Sequence, residues 1–326
     1  IKNIPKLGDA NWAGTKKSNL CTLILTEGDS AKSMALSGLA AIENSRNMFG
    51  VFPLKGKLLN VREASLKQIK ENKEIDSLKK IVGLNFGKKY TKDNISYELR
   101  YSSILLMMDA DVDGSHIKGL LINMMNHFWP NLLKIPGFMR VLITPMVKVK
   151  KDDKQVIFNT LDQFEQWKNK NEASKWIIKY YKGLGTNTVE EAKEYFRELD
   201  KYILEFRDSA SDSKYIQLAF SKKLANERKK WLKAYDPSTD LDRSKNTITY
   251  SDFINKELIH FSNYDNIRSI PSIYDGLKPS QRKVLYAGFK KKVYSDIKVS
   301  QFVGYISEHT AYHHGENSLI STVIGM

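Results

Sequence analysis

Two short apolar runs, each followed by acidic and small residues and then by a helical periodicity, organise the first half of the chain. Residues 20–26, LCTLILT, read as a buried strand leading into the turn-like EGDS. Ala31, Met34, Ala35, Gly38, Leu39 and Ile42 then recur at i, i+3, i+4, i+7, i+8 and i+11, which is one apolar face of a helix. Residues 103–108, SILLMM, begin the same pattern again: after DADVDGSH come Ile117, Leu120, Leu121, Met124, Met125 and Phe128 at the same spacing. Uninterrupted apolar strands are buried on both faces and so run parallel, and in open parallel sheets functional groups collect beyond the carboxyl ends of the strands. Glu27 and the cluster Asp109, Asp111 and Asp113 are therefore expected at one sheet edge.

Further along, MRVLITPMVKVK, a turn at KDDK and QVIFN read as a hairpin. A helix around TLDQFEQWKNK and a strand KWIIKYY entering KGLGTNT follow, and residues 188–234 read as helical and heavily charged. The turn-rich stretch DPSTDLDRSKN, 236–246, marks a domain junction, and 247–326 reads as short helices dense in basic and aromatic residues. The expectation is an α/β chain with a parallel, Rossmann-like sheet domain at 1–160, a helical extension at 161–246 and a mostly helical domain at 247–326. Tyr286 and Phe289 are expected in the core of that last domain.

Charge narrows the partners. With 52 Lys and Arg against 37 Asp and Glu, the net charge of +15 favours a polyanion, either nucleic acid or an anionic membrane surface. No apolar run approaches the roughly 20 residues of a membrane span. The single cysteine, Cys21, excludes an intramolecular disulfide framework and a cysteine-rich zinc site, and fits a reducing compartment. The chain begins and ends in mid-pattern, at IKNIPKLGDA and STVIGM, so a piece of a longer polypeptide is expected.

Three aspartates at alternate positions repel one another and call for a counter-charge. DADVDG opens like a calcium loop, but that loop needs a preceding helix and a bidentate Glu at its twelfth position, where this chain has Leu120. Hard oxygen ligands from one Glu and two or three Asp suit Mg2+, which keeps several waters and coordinates substrate phosphate. In a basic chain this points to phosphodiester chemistry, with Glu27 the proton-transfer candidate at its strand end. PLKGK (53–57) and YKGLGT (181–186) each set lysine beside glycine in a turn, which lets backbone amides and an ammonium approach a phosphate.

Taken in order, TEGDSA, PLKGKLLNVREAS, MMDADVDGSHIKGLL and YYKGLGT resemble the TOPRIM domain of type IIA DNA topoisomerases. The later NIRSIPSIYDGLKPSQRKVLY and AYHHGENSL resemble the start of the winged-helix DNA-breakage domain of the same enzymes, and both modules on one chain resemble the fused eukaryotic or viral type. The resemblance implies that Glu27, Asp109, Asp111 and Asp113 hold Mg2+, with Mn2+ or Ca2+ able to substitute, and that Glu27 doubles as acid/base for the leaving 3′ oxygen. It implies that Arg268 and His314 line the scissile phosphate, which suits the planar fork of an arginine. It implies DNA contacts from Lys55, Lys57, Lys182, Lys278, Arg282, Lys283 and His313. Double-stranded DNA is the implied partner, a homodimer the implied assembly of the full-length enzyme, and the nucleus its place, or a cytoplasmic replication site if viral. ATP would act only through a domain outside this chain. The family's nucleophilic tyrosine lies beyond AYHHGE, so none is expected within residues 1–326, and the segment alone is expected to bind DNA and metal without breaking strands.

Two rival readings remain. A metal-dependent nuclease or primase sharing only the metal module has no need of the phosphate-lining segment 267–284. A basic, non-catalytic DNA-binding scaffold predicts DNA affinity indifferent to Mg2+ and to Glu27.

Overall fold

The computed structural model describes residues 4–158, 161–181, 183–242, 245–312 and 314–326. The chain divides into two compact units, Ile1–His260 and Phe261–Met326. In the first, a six-stranded sheet has the order β2-β1-β3-β4-β8-β9. Its strands are β1 (Thr22–Glu27), β2 (Phe49–Leu54), β3 (Ser103–Met107), β4 (Met139–Leu142), β8 (Ile203–Arg207) and β9 (Thr247–Thr249). The first four are mutually parallel, so the two apolar runs are adjacent strands, with Thr26 opposite Met107. Every residue of β3, and every residue of β1 except Glu27, is buried, as an apolar strand between two covered faces must be. The helices that follow them, Gly28–Leu39 and Val112–Phe128, turn the predicted apolar faces inward. Ala31, Met34, Ala35 and Leu39 pack with Ile24, Leu105, Tyr195 and Phe196 in one core cluster.

Three sequence expectations change. MRVL is not one arm of the hairpin: β4 joins the large sheet, and the hairpin is β5 (Val147–Lys151) with β6 (Lys154–Phe158), extended by β7 (Ile177–Tyr180) into a second, antiparallel sheet. The charged stretch 188–234 is interrupted by β8, antiparallel to β4, in which Leu204 and Phe206 are buried. That period of two is hidden among charged neighbours that fit an exposed helix equally well. Finally, β9 pairs with β8, so residues beyond the 236–246 turns still belong to the first unit, and the units divide at His260 and Phe261.

The second unit is helical, with Pro279–Lys291, Val299–His309 and Glu316–Ile324 around Val284, Ala287, Phe302, Val303, Ile306 and Leu319. Tyr286 and Phe289 are 54% and 77% exposed, so they do not form this core. Position decides: Val284 and Ala287, three apart, occupy the inward face and leave the larger aromatics outside.

Candidate functional site

The carboxyl ends of β2, β1 and β3 lie side by side, and each delivers part of one motif. Glu27 is the last residue of β1. Its Oε2 accepts the backbone N–H of Asp109 at 3.2 Å, two residues past the end of β3. Asp111 is the N-cap of the Val112–Phe128 helix and accepts the Gly114 N–H at 2.7 Å. Asp113, in the first turn of that helix, pairs with Lys57 of the loop after β2 at 2.6 Å. The YKGLGT segment closes over the same edge, where the Leu184 N–H donates to Asp109 Oδ1 at 2.8 Å. The four motifs of the metal module thus converge.

Two glycines are required by close approach rather than by backbone angle. A Cβ on Gly114 would stand 2.3 Å from the Asp109 carbonyl oxygen and 3.1 Å from Glu27 Oε2. A Cβ on Gly183 would stand 2.7 Å from Asp109 Oδ2. Both glycines let backbone press directly on the acidic cluster.

The electrostatics of the cluster are unrelieved. Burial, then the neighbouring Asp109, pushes the Glu27 carboxyl up to about 7, and Asp111 and Asp113 add to the effect. Burial likewise raises Asp109, helped by Asp111 and opposed by the Leu184 N–H. Among the described residues no three acidic, imidazole or thiol groups stand grouped as the ligands of an ion. Glu27 and Asp109 are in contact, whereas Asp111 caps its helix and Asp113 faces Lys57. The chemistry of the set nonetheless fits a hard divalent cation: all donors are oxygen, their charges are crowded, and the ionised form of Glu27 is the disfavoured one until a cation arrives.

This has a direct consequence for stability. Glu27 ionises near 4.5 in an unfolded chain and at about 7 here, so the folded state holds its proton more tightly. That contribution is complete below about pH 4.5 and is lost as pH rises through about 7. In metal-free buffer Glu27→Gln, uncharged throughout, is expected to be more stable than the parent at pH 8 by on the order of 1–3 kcal/mol, allowing for partial solvent exposure. Denaturant melts across pH 4–8 check this, and parallel curves for the two proteins would contradict it.

In the second unit, Arg268, Lys283, Tyr312 and His314 line one cavity of about 440 Å³ together with Tyr264 and Ser280. The Arg268 guanidinium lies 5.2 Å from the Tyr264 ring centre and donates to Asp265 at 3.2 Å. Tyr264 Oη and His314 Nε2 are 3.2 Å apart, and Lys283 Nζ donates to the Ala311 carbonyl at 3.0 Å. A cavity with two permanent cations, an imidazole and hydroxyls is suited to a phosphodiester.

Three family descriptions match consecutive stretches. The Toprim domain matches residues 22–145, the C-terminal associated domain of TOPRIM matches 142–266, and the DNA gyrase/topoisomerase IV family matches 268–326. DNA topoisomerase 2 of Meyerozyma guilliermondii is 54% identical over all of this chain, and DNA topoisomerase 2-alpha of Mus musculus 51% identical over all of it. The crystal structure of the Plasmodium falciparum topoisomerase II DNA-binding, cleavage and re-ligation domain superposes with a TM-score of 0.87 at 52% identity, covering 99% of this chain and 44% of that one. The chain belongs to the type IIA DNA topoisomerase family. It spans 24% of the Meyerozyma relative and 22% of the mouse relative.

Within this family segment, the sequence-predicted residues have different fates. Glu27, Asp109, Asp111, Asp113 and Lys57 share the sheet edge, and Arg268, Lys283 and His314 share the cavity. Arg282 is held by Asp275 through two contacts of 2.9 Å, so its fork already grips a carboxylate. Lys278 is the N-cap of the Pro279–Lys291 helix, its N–H donating to Gln281 Oε1 at 2.9 Å. Lys55 is exposed, and its backbone N–H donates to Glu74 at 3.0 Å. Lys182 and His313 lie outside the described residues. Sequence reasoning missed Tyr264, which touches both Arg268 and His314. Its only sequence signal is position, four residues before Arg268 and one turn away on the same helix.

Proposed function

We propose that this chain is the metal-binding and DNA-binding core of a type II DNA topoisomerase, an ATP-dependent enzyme that passes one duplex through a transient break in another. The convergence of Glu27 and Asp109 at one strand edge, closed by Gly183 and Leu184, is the observation that carries this reading. Glu27, Asp109, Asp111 and Asp113 would hold Mg2+, with Mn2+ or Ca2+ as substitutes. The bound ion supplies positive charge to phosphate oxygens. Glu27, poised at about 7, holds or releases a proton at neutral pH and serves as acid/base for the 3′ oxygen. Arg268 and His314 take the phosphate in the second unit, where Arg268 offers two parallel N–H groups. The family implies a homodimer acting on double-stranded DNA, and eukaryotic relatives support the nucleus as its place. A Dictyostelium discoideum relative named mitochondrial, 52% identical, makes that organelle the second reading.

DNA affinity of the chain should be insensitive to sequence and fall steeply with salt, because each neutralised phosphate releases counterions. Lys283→Ala and Lys278→Ala are each expected to lower the slope of log K against log salt by about one. Arg282→Ala should change it less, since Asp275 already neutralises that guanidinium. Fluorescence anisotropy at several salt concentrations reads this, and a slope unchanged by either lysine variant would place the phosphate contacts elsewhere. The scaffold reading instead predicts that Mg2+ and Glu27→Gln leave DNA affinity untouched.

A further inference from the structure

The helix that begins at Asp111 is gripped by a carboxylate that none of the roles above uses. Glu257 lies in a single π-helical turn, Ile254–Leu258, a feature that is rare in proteins and concentrated at functional sites. Its Oε1 accepts the Ser115 hydroxyl at 2.8 Å and pairs with the buried Lys118 of the same helix. Ser115 stands one turn after Asp111, and Lys118 one turn further along, so Glu257 bridges the first two turns of the face that starts at the aspartate.

The Ser115 hydroxyl decides what this bridge does. It lies 3.1 Å from the Asp111 carbonyl as well, but a hydroxyl has one proton and can donate only once. The shorter contact to a charged acceptor is the stronger, so Glu257 draws the proton outward. The Asp111 carbonyl keeps its regular helical bond from the Ser115 N–H at 3.1 Å. Without Glu257 the hydroxyl would turn back onto that carbonyl, an arrangement that bends helices, and the turn it bends is the one carrying Asp111 and Asp113.

We propose that Glu257 is a positioning residue for the divalent-metal site, fixing the first turn of the aspartate-bearing helix through Ser115. This rests on the metal-binding reading above. Groups that orient the ligands of a metal are worth about 10-fold or more in its affinity even without touching it. Lys118 makes the arrangement tolerable, since a buried carboxylate needs a partner cation, and its ammonium also lies 5.8 Å from the Phe253 ring centre.

The test uses the 326-residue chain and two double variants that both remove the buried charge pair. Lys118→Met with Glu257→Gln keeps an acceptor for Ser115, whereas Lys118→Met with Glu257→Leu does not. Mg2+ dissociation constants come from calorimetric titration at pH 8, and melting temperatures in EDTA report the fold separately. The Gln-containing variant is expected to match the parent, and the Leu-containing variant to bind Mg2+ about 10-fold more weakly. Equal Mg2+ affinity in parent and both variants, even with lowered melting temperatures, would make Glu257 a scaffold residue and overturn the proposal. Equal weakening in both variants would overturn the route through Ser115, because the charge and not the acceptor would then matter. Failure of the parent itself to bind Mg2+ would overturn the metal reading, and this proposal with it.

Discussion

Replacing Arg268 or Glu27 with Ala, in a polypeptide that carries this segment within the full length of its relatives, is expected to lower DNA cleavage by on the order of 10²-fold or more. The two residues act on the same phosphodiester in different ways. Arg268 lines a cavity with Lys283 and His314, and its loss removes a fixed positive charge where negative charge develops. Glu27 offers a carboxyl near neutrality, and its loss removes both a metal ligand and a proton carrier. Arg268→Lys should recover little, because an ammonium cannot reproduce the planar two-donor fork. Covalent protein–DNA adducts trapped with detergent report the cleavage step alone. Full adduct yield from either alanine variant would remove that residue from the chemistry and revive the reading in which only the metal module is shared.

Gly114→Ala should be as damaging as the loss of a ligand, although it adds only one methyl group. The new Cβ would stand 2.3 Å from the Asp109 carbonyl oxygen, which is backbone and cannot swing away. Either the helix start or the Asp109 peptide must move, at a cost of about 1–3 kcal/mol in stability. The movement also separates Asp109 from Glu27, so thermal stabilisation by Mg2+ should shrink along with the basal melting temperature. Gly137→Ala is a useful comparison: Gly137 also belongs to a turn, its φ of +74° strains any replacement, yet no atom lies within 4 Å of the added carbon. That variant should lose stability while keeping the full Mg2+ response. A normal Mg2+ response in Gly114→Ala would show that the aspartates tolerate the displacement.

The parallel sheet was legible because β1 and β3 are uninterrupted apolar runs followed by amphipathic helices, a pattern with few other solutions. The shared edge of Glu27 and Asp109 followed from that topology alone. β8 was not legible, because the alternation of Leu204 and Phe206 spans only five residues inside a charged stretch. The hairpin was misdrawn by one strand for a related reason: MRVL and VKVKK are both strand-like, and nothing local says that they join different sheets. At the site, the sequence supplied the acidic and basic groups but not their partners. That Asp111 caps its own helix, that Arg282 grips Asp275 and that Tyr264 touches both Arg268 and His314 are facts of geometry. Charged residues carry a chemical type in their letters, whereas the choice between a phosphate and a neighbouring carboxylate is made only by packing.

The most direct test of the central claim is a titration of Mg2+ into the 326-residue chain and its Asp109→Asn variant at pH 8, read by melting temperature. An ion that binds only the folded state stabilises it in proportion to the logarithm of its concentration above Kd. Asp109 is the carboxylate through which β3, Glu27 and the YKGLGT turn meet, and its amide variant keeps size and hydrogen-bond capacity while losing the charge. The parent is expected to gain melting temperature progressively with Mg2+, and Asp109→Asn to lose most of that gain. The same Mg2+ response in both proteins would contradict the assignment of this strand edge as the metal site.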